Sequence, residues 1–262
     1  MAHNPIVRFA ARGVRVTILP MRVLVLSDIH ANLTALERVL EDARSFDAVW
    51  CLGDLVGYGP DPNECIARVR QLPQLTCLIG NHDLAALGSI PLHRFNADAS
   101  ASVAWTRDHL SEASTAYLQS LRAKELVPPF TLAHGSPRQE VWEYILDHHS
   151  ADRNFDVLET EYCLVGHSHL PIAFVRFPRE SYCLPVQLPV DVPLSLTPRM
   201  ILNPGSVGQP RDLDPRAAYA ILDLDQMTWE PRRVGYEVAG VQERIIEAGL
   251  PERQAIRLVG GW

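Results

Sequence analysis

Six times along the chain a short apolar run stops abruptly in polar residues with a glycine close by. Val23–Leu26 runs into Ser27-Asp28-Ile29-His30, and Ala48–Leu52 into Gly53-Asp54. Leu75–Ile79 meets Gly80-Asn81-His82-Asp83, and Phe130–Ala133 meets His134-Gly135. Tyr162–Val165 ends in Gly166-His167-Ser168-His169, and Met200–Leu202 in Asn203-Pro204-Gly205-Ser206. Runs of this length, rich in Val, Leu and Ile and bounded by glycine, predict strands buried on both faces. Each predicted strand therefore delivers polar groups at its C-terminal end, which is where open α/β sheets place their ligands.

Helical patterns lie between these runs. Leu33, Leu36, Val39 and Leu40 recur at spacings of three and four, with Glu37, Arg38 and Glu41 on the opposite face. A short helix is predicted from an Asn63 cap to Val69, a longer one over 97–110, and another near 114–121 with Ser111 or Ser114 as its cap. Strand and helix alternate up to residue 100, the mark of an α/β fold. Past Pro171 the pattern becomes mostly strands: 172–177, 181–186, 200–202, 218–224 and 228–234. Pro185, Pro189, Pro193 and Pro198 make 179–199 an irregular hairpin or edge excursion. A helix over 238–248 stops at Gly249-Leu250-Pro251. No repeat or linker divides the chain, so 21–262 reads as a single domain. Met21 directly precedes the first strand, which marks 1–20 as an N-terminal extension and Met21 as the natural start.

Composition narrows the function. Of 262 residues, 47% are hydrophobic and 21% charged, which places the chain among globular proteins rather than disordered ones. The net charge of −7 disfavours long nucleic acids, which need a track of Lys and Arg against the phosphates. It also repels anionic ligands at long range. No apolar run approaches the roughly 20 residues a bilayer crossing requires, and Arg8, Arg12 and Arg15 interrupt the N-terminal stretch where a secretion signal would need continuity. Cys51, Cys65, Cys77, Cys163 and Cys183 are odd in number and form no CxxC pair, as expected of reduced thiols in a cytoplasmic protein.

The strand ends carry the chemistry. Together they supply Asp28, His30, Asp54, Asn81, His82, His134, His167 and His169, including five of the ten histidines. Singly, each has a dull explanation as a cap or a hydrogen-bonded core residue. Jointly, so many carboxylates and imidazoles on one edge of a fold would be costly without cations. Imidazole, carboxylate and amide oxygen without thiolate suit manganese first, with iron, nickel or zinc as alternatives. Seven or more such groups exceed one ion's needs and suit two ions sharing a carboxylate.

The blocks Asp28-x-His30, Gly53-Asp54-x-x-Gly57, Gly80-Asn81-His82-Asp83, His134-Gly135 and Gly166-His167-Ser168-His169 resemble, in order, those of the calcineurin-like metallophosphoesterases. A sixth block, Asn203–Gly208, extends the resemblance to about residue 212. Gly57–Glu64 and Gly205–Asp212 are similar to the small prokaryotic phosphodiesterase-like branch. The resemblance implies a four-layer α-β-β-α sandwich of two mixed β-sheets flanked by helices. It implies that Asp28, His30 and His169 hold one metal, that Asn81, His134 and His167 hold a second, and that Asp54 bridges both. It further implies a bridging hydroxide as nucleophile and His82 as the general acid that protonates the leaving oxygen. The substrate expected is a small phosphoester, a phosphodiester or nucleotide, with a phosphomonoesterase, a dinucleoside polyphosphate hydrolase or a non-catalytic, partner-binding scaffold as alternatives.

One departure stands out. Protein phosphatases of the superfamily carry an acid and then an Arg three and four positions beyond the bridging Asp, where this chain has Gly57 and Tyr58. Protein phosphatase activity is therefore not expected. Asp83 either orients His82 in place of the missing acid or caps a local helix. Tyr58 and Arg211 are candidate substrate contacts, with loop packing and an ordinary surface position as their respective alternatives. The backbone around Gly205–Val207 forms either an anion nest or a tight turn. His148-His149 reads as a solvated pair rather than a metal site.

Overall fold

The computed structural model describes residues 21–262; the expectations about 1–20 and the start at Met21 lie outside the described residues. The elements in chain order are β1 (Arg22–Leu26), α1 (Leu33–Ala43), β2 (Ala48–Cys51), α2 (Pro62–Val69), β3 (Leu75–Cys77) and α3 (Asn81–Ala86). A 3-10 turn at Leu92–Arg94 leads to α4 (Ala97–His109), α5 (Glu112–Ser120), β4 (Lys124–Val127), β5 (Phe130–Ala133), α6 (His148–Phe155) and β6 (Tyr162–Leu164). There follow β7 (Pro171–Val175), β8 (Leu184–Val186), β9 (Leu194–Ser195), β10 (Met200–Pro204), β11 (Ala217–Asp223), β12 (Thr228–Val234), α7 (Val238–Glu247) and α8 (Glu252–Gly260).

Two six-stranded mixed sheets result, ordered β3-β2-β1-β11-β12-β9 and β4-β5-β6-β10-β7-β8. Side chains alternate across each strand, and both faces are covered. Val23, Val25, Trp50, Phe130, Leu132, Leu164, Leu202 and Trp229 fill the space between the sheets. The opposite face of the first sheet, through Leu24, Leu26 and Val49, packs on Leu36, Val39 and Ile66 of α1 and α2. Cys163, Phe174 and Ile201 of the second sheet pack on Phe155 of α6. The layers are therefore helix, sheet, sheet, helix, as expected.

The parallel strands place the polar endings together. β1, β2 and β3 run parallel in one sheet, and β5, β6 and β10 in the other. All six strand ends reach the same edge of the sandwich.

Several local expectations are corrected. Pro62 occupies the first turn of α2 after Asp61, so Asn63 lies inside the helix and does not cap it. Ser111 caps α5, while Ser114 supplies the backbone N–H it accepts. The 179–199 excursion crosses between the sheets: β8 extends the edge at β7, and β9 the edge at β12. All five cysteines are free. No described helix is long and apolar enough to cross a membrane.

Candidate metal centre

Each strand end turns sharply out of its sheet. Asp28, His30, Asp54, His167 and His169 all adopt left-handed backbone, with φ between 49° and 64°. Clustered at five of the seven expected ligands, this uncommon conformation marks a functional edge. Glycines make the close approaches possible: a Cβ on Gly80 would overlap the Asp54 carboxylate, and one on Gly166 the Ser27 hydroxyl.

Two triads result, Asp28-His30-His169 and Asp54-His134-His167, each with its ligand atoms within 4.8 Å of one another and every residue buried. Asp54 lies between them. Its Oδ2 is 3.3 Å from His134 Nε2 and 3.7 Å from His30 Nε2. Asn81, at the start of α3, brings its Oδ1 to 3.0 Å from His134 Nε2.

Hydrogen bonding shows that these atoms are prepared for cations. Nδ1 of His30 faces the Val56 carbonyl at 3.0 Å, that of His134 the Leu52 carbonyl at 2.9 Å, and that of His169 the Gln209 carbonyl at 2.5 Å. A nitrogen against a carbonyl must carry the proton, so in each neutral ring Nε2 presents a lone pair to the centre. Yet His30 Nε2 and His169 Nε2 stand 3.0 Å apart, and His134 Nε2 is equally close to an amide oxygen. Lone pairs face lone pairs, a repulsive arrangement that a cation between them converts into coordination. Asp28 Oδ1, Asp54 Oδ2 and His167 Nε2 are likewise buried with no hydrogen-bond partner. The two sites fit a dinuclear metal centre.

The electrostatics agree. Burial pushes Asp28 up to about 7. Burial would raise Asp54 too, but His134 and His82 beside it hold it far below the usual carboxylate range. Burial lowers His167 to about 3 and carries His30 and His169 well below their ordinary values, keeping these imidazoles neutral, the form that binds metal. His134 departs from this pattern: burial opposes its charge, yet Asp54 lifts it to about 9, so this ring carries a proton between Asp54 and Asn81 that a bound cation would displace.

His82 sits in an aromatic box beside the triads. Its ring lies 4.4 Å from Tyr58, 4.9 Å from His30 and 5.0 Å from Phe95. Its Nδ1 is buried without a partner, and a Cβ on Gly57 would come within 2.6 Å of that nitrogen. An acid cannot occupy position 57 without displacing His82. Asp83 does not replace it: its carboxylate accepts from Val56 N and Gly80 N, capping α3 and tying it to the loop after β2. Packing, not a carboxylate, orients His82.

The other candidates divide. Tyr58 is buried over His30 and His82, and its hydroxyl accepts from Arg211 at 3.2 Å. Arg211 is half-buried rather than an ordinary surface residue, and also reaches Gln209. No anion nest forms at Gly205–Val207, because Gly205 N donates to the Asn203 side chain and Val207 N to the Ser27 carbonyl. This turn is a brace: Ser206 holds the Asp28 carbonyl, and Asn203 donates to the Gly166 carbonyl. His148 and His149 are exposed on α6.

Above the centre opens a cleft of about 190 Å³, lined by Tyr58, His82 and Arg211 together with residues that the sequence pattern did not single out, among them Arg94, Phe95, Trp142, Tyr144 and Arg257. Tyr144 stacks on His167 with centroids 4.0 Å apart. They come from three segments far apart in the chain, Arg94-Phe95, Trp142-x-Tyr144 and Arg257, so only the fold assembles them.

Comparison with known proteins accords with this geometry. The profile of the calcineurin-like phosphoesterase superfamily domain matches residues 21–227. A metallophosphoesterase from Sphaerobacter thermophilus, known from its crystal structure, is 43% identical with a TM-score of 0.84, over 93% of this chain and all of that one. An uncharacterised protein from Methanocaldococcus jannaschii is 35% identical over 251 residues, 91% of this chain and 98% of that protein. A shorter match, 38% identical over 71 residues and 26% of each chain, is to the symmetrical bis(5'-nucleosyl)-tetraphosphatase of Thioalkalivibrio sulfidiphilus.

Proposed function

Because this chain belongs to the calcineurin-like phosphoesterase superfamily, we propose that it hydrolyses a small phosphodiester or nucleotide at the paired triads. The observation that carries this reading is the set of buried, partnerless acceptors converging from two sheets with Asp54 between them. In the proposed assignment Asp28, His30 and His169 hold one divalent cation, Asn81, His134 and His167 a second, and Asp54 both. Imidazole, carboxylate and amide oxygen suit borderline divalent ions, manganese being the first choice here with iron, nickel or zinc as alternatives, and the absence of thiolate argues against a structural zinc site. Bound there, two divalent cations would supply Lewis-acid polarisation of a phosphoryl group and a lowered pKa for water.

The chain's own residues do the rest. The strand-end turns and the carbonyls behind His30, His134 and His169 fix these residues before substrate arrives. His82 delivers a proton to the leaving oxygen. Its Nδ1 is buried against Gly57, which leaves Nε2 as the atom offered to the cleft. Tyr58 covers the ligands and excludes water from that side.

The nucleotide side of the reading draws support from the aromatic lining of the cleft and from the partial similarity to a tetraphosphatase. The retained ligands and His82 argue for an enzyme rather than a scaffold. We read 21–262 as one domain, since Gln254 of α8 is hydrogen-bonded to Gln209 beside the centre. Free thiols and the lack of a membrane-crossing helix among the described residues favour a cytoplasmic location.

The test is turnover by manganese-loaded protein of bis-p-nitrophenyl phosphate and p-nitrophenyl phosphate, beside H82A and D54N. Diester turnover above monoester turnover, lost in both variants, is expected. Activity no greater than the metal blank on either ester would refute the enzyme.

A further inference from the structure

Three arginines reach the cleft from three separate elements: Arg94 from the 3-10 turn, Arg211 from the loop after β10, and Arg257 from α8. Such convergence of like charge is unfavourable unless something negative occupies the space between. Other buried arginine heads of the fold meet carboxylates, as Arg176 does Asp152 and Asp156 and Arg233 does Asp212. Among the described residues, no side-chain carboxylate lies within salt-bridge distance of Arg94, Arg211 or Arg257, although Arg257 Nε donates at 2.5 Å to a main-chain carboxylate oxygen of Trp262, the last residue. Arg211 Nε is buried and has no partner at all. Burial and then Arg211 push Arg257 down to about 10, the sign of two cations held near each other.

Their placement relative to the metal ligands is specific. The Arg211 guanidinium lies 5.7 Å from the Tyr58 ring, which itself rests on His30 and His82. The Arg94 guanidinium lies 4.6 Å from the Trp142 ring, which stands edge-on to His167. Arg94 and Arg211 thus each stand against an aromatic ring that itself packs on the triads, which places them for a phosphate beside the one held there. Arg211 approaches over Tyr58 from another part of the chain. Between the arginines Phe95 and Trp142 form a continuous aromatic wall, their centroids 5.4 Å apart, and such a surface suits a planar base.

We propose that Arg94, Arg211 and Arg257 form an anion-binding rim for a second phosphate of the substrate, whose class is therefore the nucleoside polyphosphates, with the base against Phe95 and Trp142. The proposal rests on the phosphoesterase reading, and names what that centre acts on.

Calorimetric titration with AMP and with the methylene analogues of ADP and ATP, at constant free Mn²⁺, reads the rim directly. Bis-p-nitrophenyl phosphate turnover by the same preparation reads the phosphoesterase separately. The expected result is affinity that tightens by about tenfold or more from AMP to the ATP analogue, since each added charge-assisted contact is strong. R94Q and R257Q should each cut that gain to about threefold or less, while R94K and R257K, which keep the charge, retain most of it. Both positions are at the surface of the cleft, and melting curves matching the wild type establish that a lost gain is not lost folding. Equal affinity for AMP and the ATP analogue in an active preparation overturns the rim and leaves the phosphoesterase standing. An undiminished gain in both glutamine variants overturns it as well. A preparation with the full gain but no turnover supports the rim and overturns the reading of the centre as hydrolytic.

Discussion

The floor and the wall of the cleft are built on opposite principles. The floor consists of groups that have nowhere else to go: buried carboxylates, imidazoles locked through Nδ1, and left-handed backbone at five ligands. The wall consists of longer side chains that are half-buried or exposed: Arg94, Trp142, Tyr144 and Arg257. A floor of this kind is preorganised and tolerates little change, because removing one buried partner strands the others. A wall of this kind is adjustable, and changes there should alter which substrate binds more than whether chemistry occurs. The puzzle of a −7 protein that handles phosphates resolves in the same terms. Global charge governs long-range steering, whereas cations held by the floor would set the local field together with the arginines of the wall.

The largest effect should come from the floor residue common to both halves. D54N removes a carboxylate that faces His30 and His134. Turnover should fall by more than about 100-fold and metal content should drop below that of the wild type, as elemental analysis of the dialysed protein would show. A variant with full metal content and near-normal rate would break the distinction at its root.

H82A tests the boundary between the two regions. Loss of general-acid catalysis typically costs about 10²–10⁴-fold in kcat, and here metal content should be unchanged because His82 is not among the triads. The loss should grow as the leaving group becomes more basic, which a series of substituted phenyl esters would reveal. A loss independent of leaving group would assign His82 to structure alone.

G57A probes the packing that orients His82. The new Cβ meets His82 Nδ1 at 2.6 Å, at a residue with φ of 90°. A destabilisation of about 1–3 kcal/mol is expected in thermal unfolding, together with reduced kcat. Unaltered stability would mean that the His82 box is loose.

Y58F should do least. It deletes one hydrogen bond, from Arg211 to the Tyr58 hydroxyl. The expected effect is about 0.5–1.5 kcal/mol, seen as a few-fold rise in KM. A hundredfold fall in kcat would place Tyr58 with the floor.

The same contrast explains what could be read in advance. Each floor residue follows within a few positions of a strand, buried except for the half-buried β3, so strand pattern and chemistry coincide in the chain, as in Leu26-Ser27-Asp28 and Val165-Gly166-His167. Five such coincidences made the four-layer fold and the proposed ligands legible together. The brace at Asn203–Gly208 was visible as a motif, but its work was not, because its hydrogen bonds run to Ser27, Asp28 and Gly166 from far along the chain. The wall left no such signature. Arg257 and Arg94 are separated by most of the chain, and each looks like an ordinary surface arginine within its own segment. Short or half-buried elements were also hidden. α3 is only six residues, opened by the Asp83 cap, and β4 is an edge strand with Lys124 and Glu125 in it, so neither shows a full period of its pattern.

The central claim is that the two triads form one dinuclear hydrolytic centre. Manganese titration of metal-stripped protein, with bound metal and bis-p-nitrophenyl phosphate turnover followed in the same samples, tests it most directly. The account predicts saturation at two ions per chain, with turnover rising as the second site fills. Saturation at one ion or none, or turnover that survives complete metal removal, would contradict it.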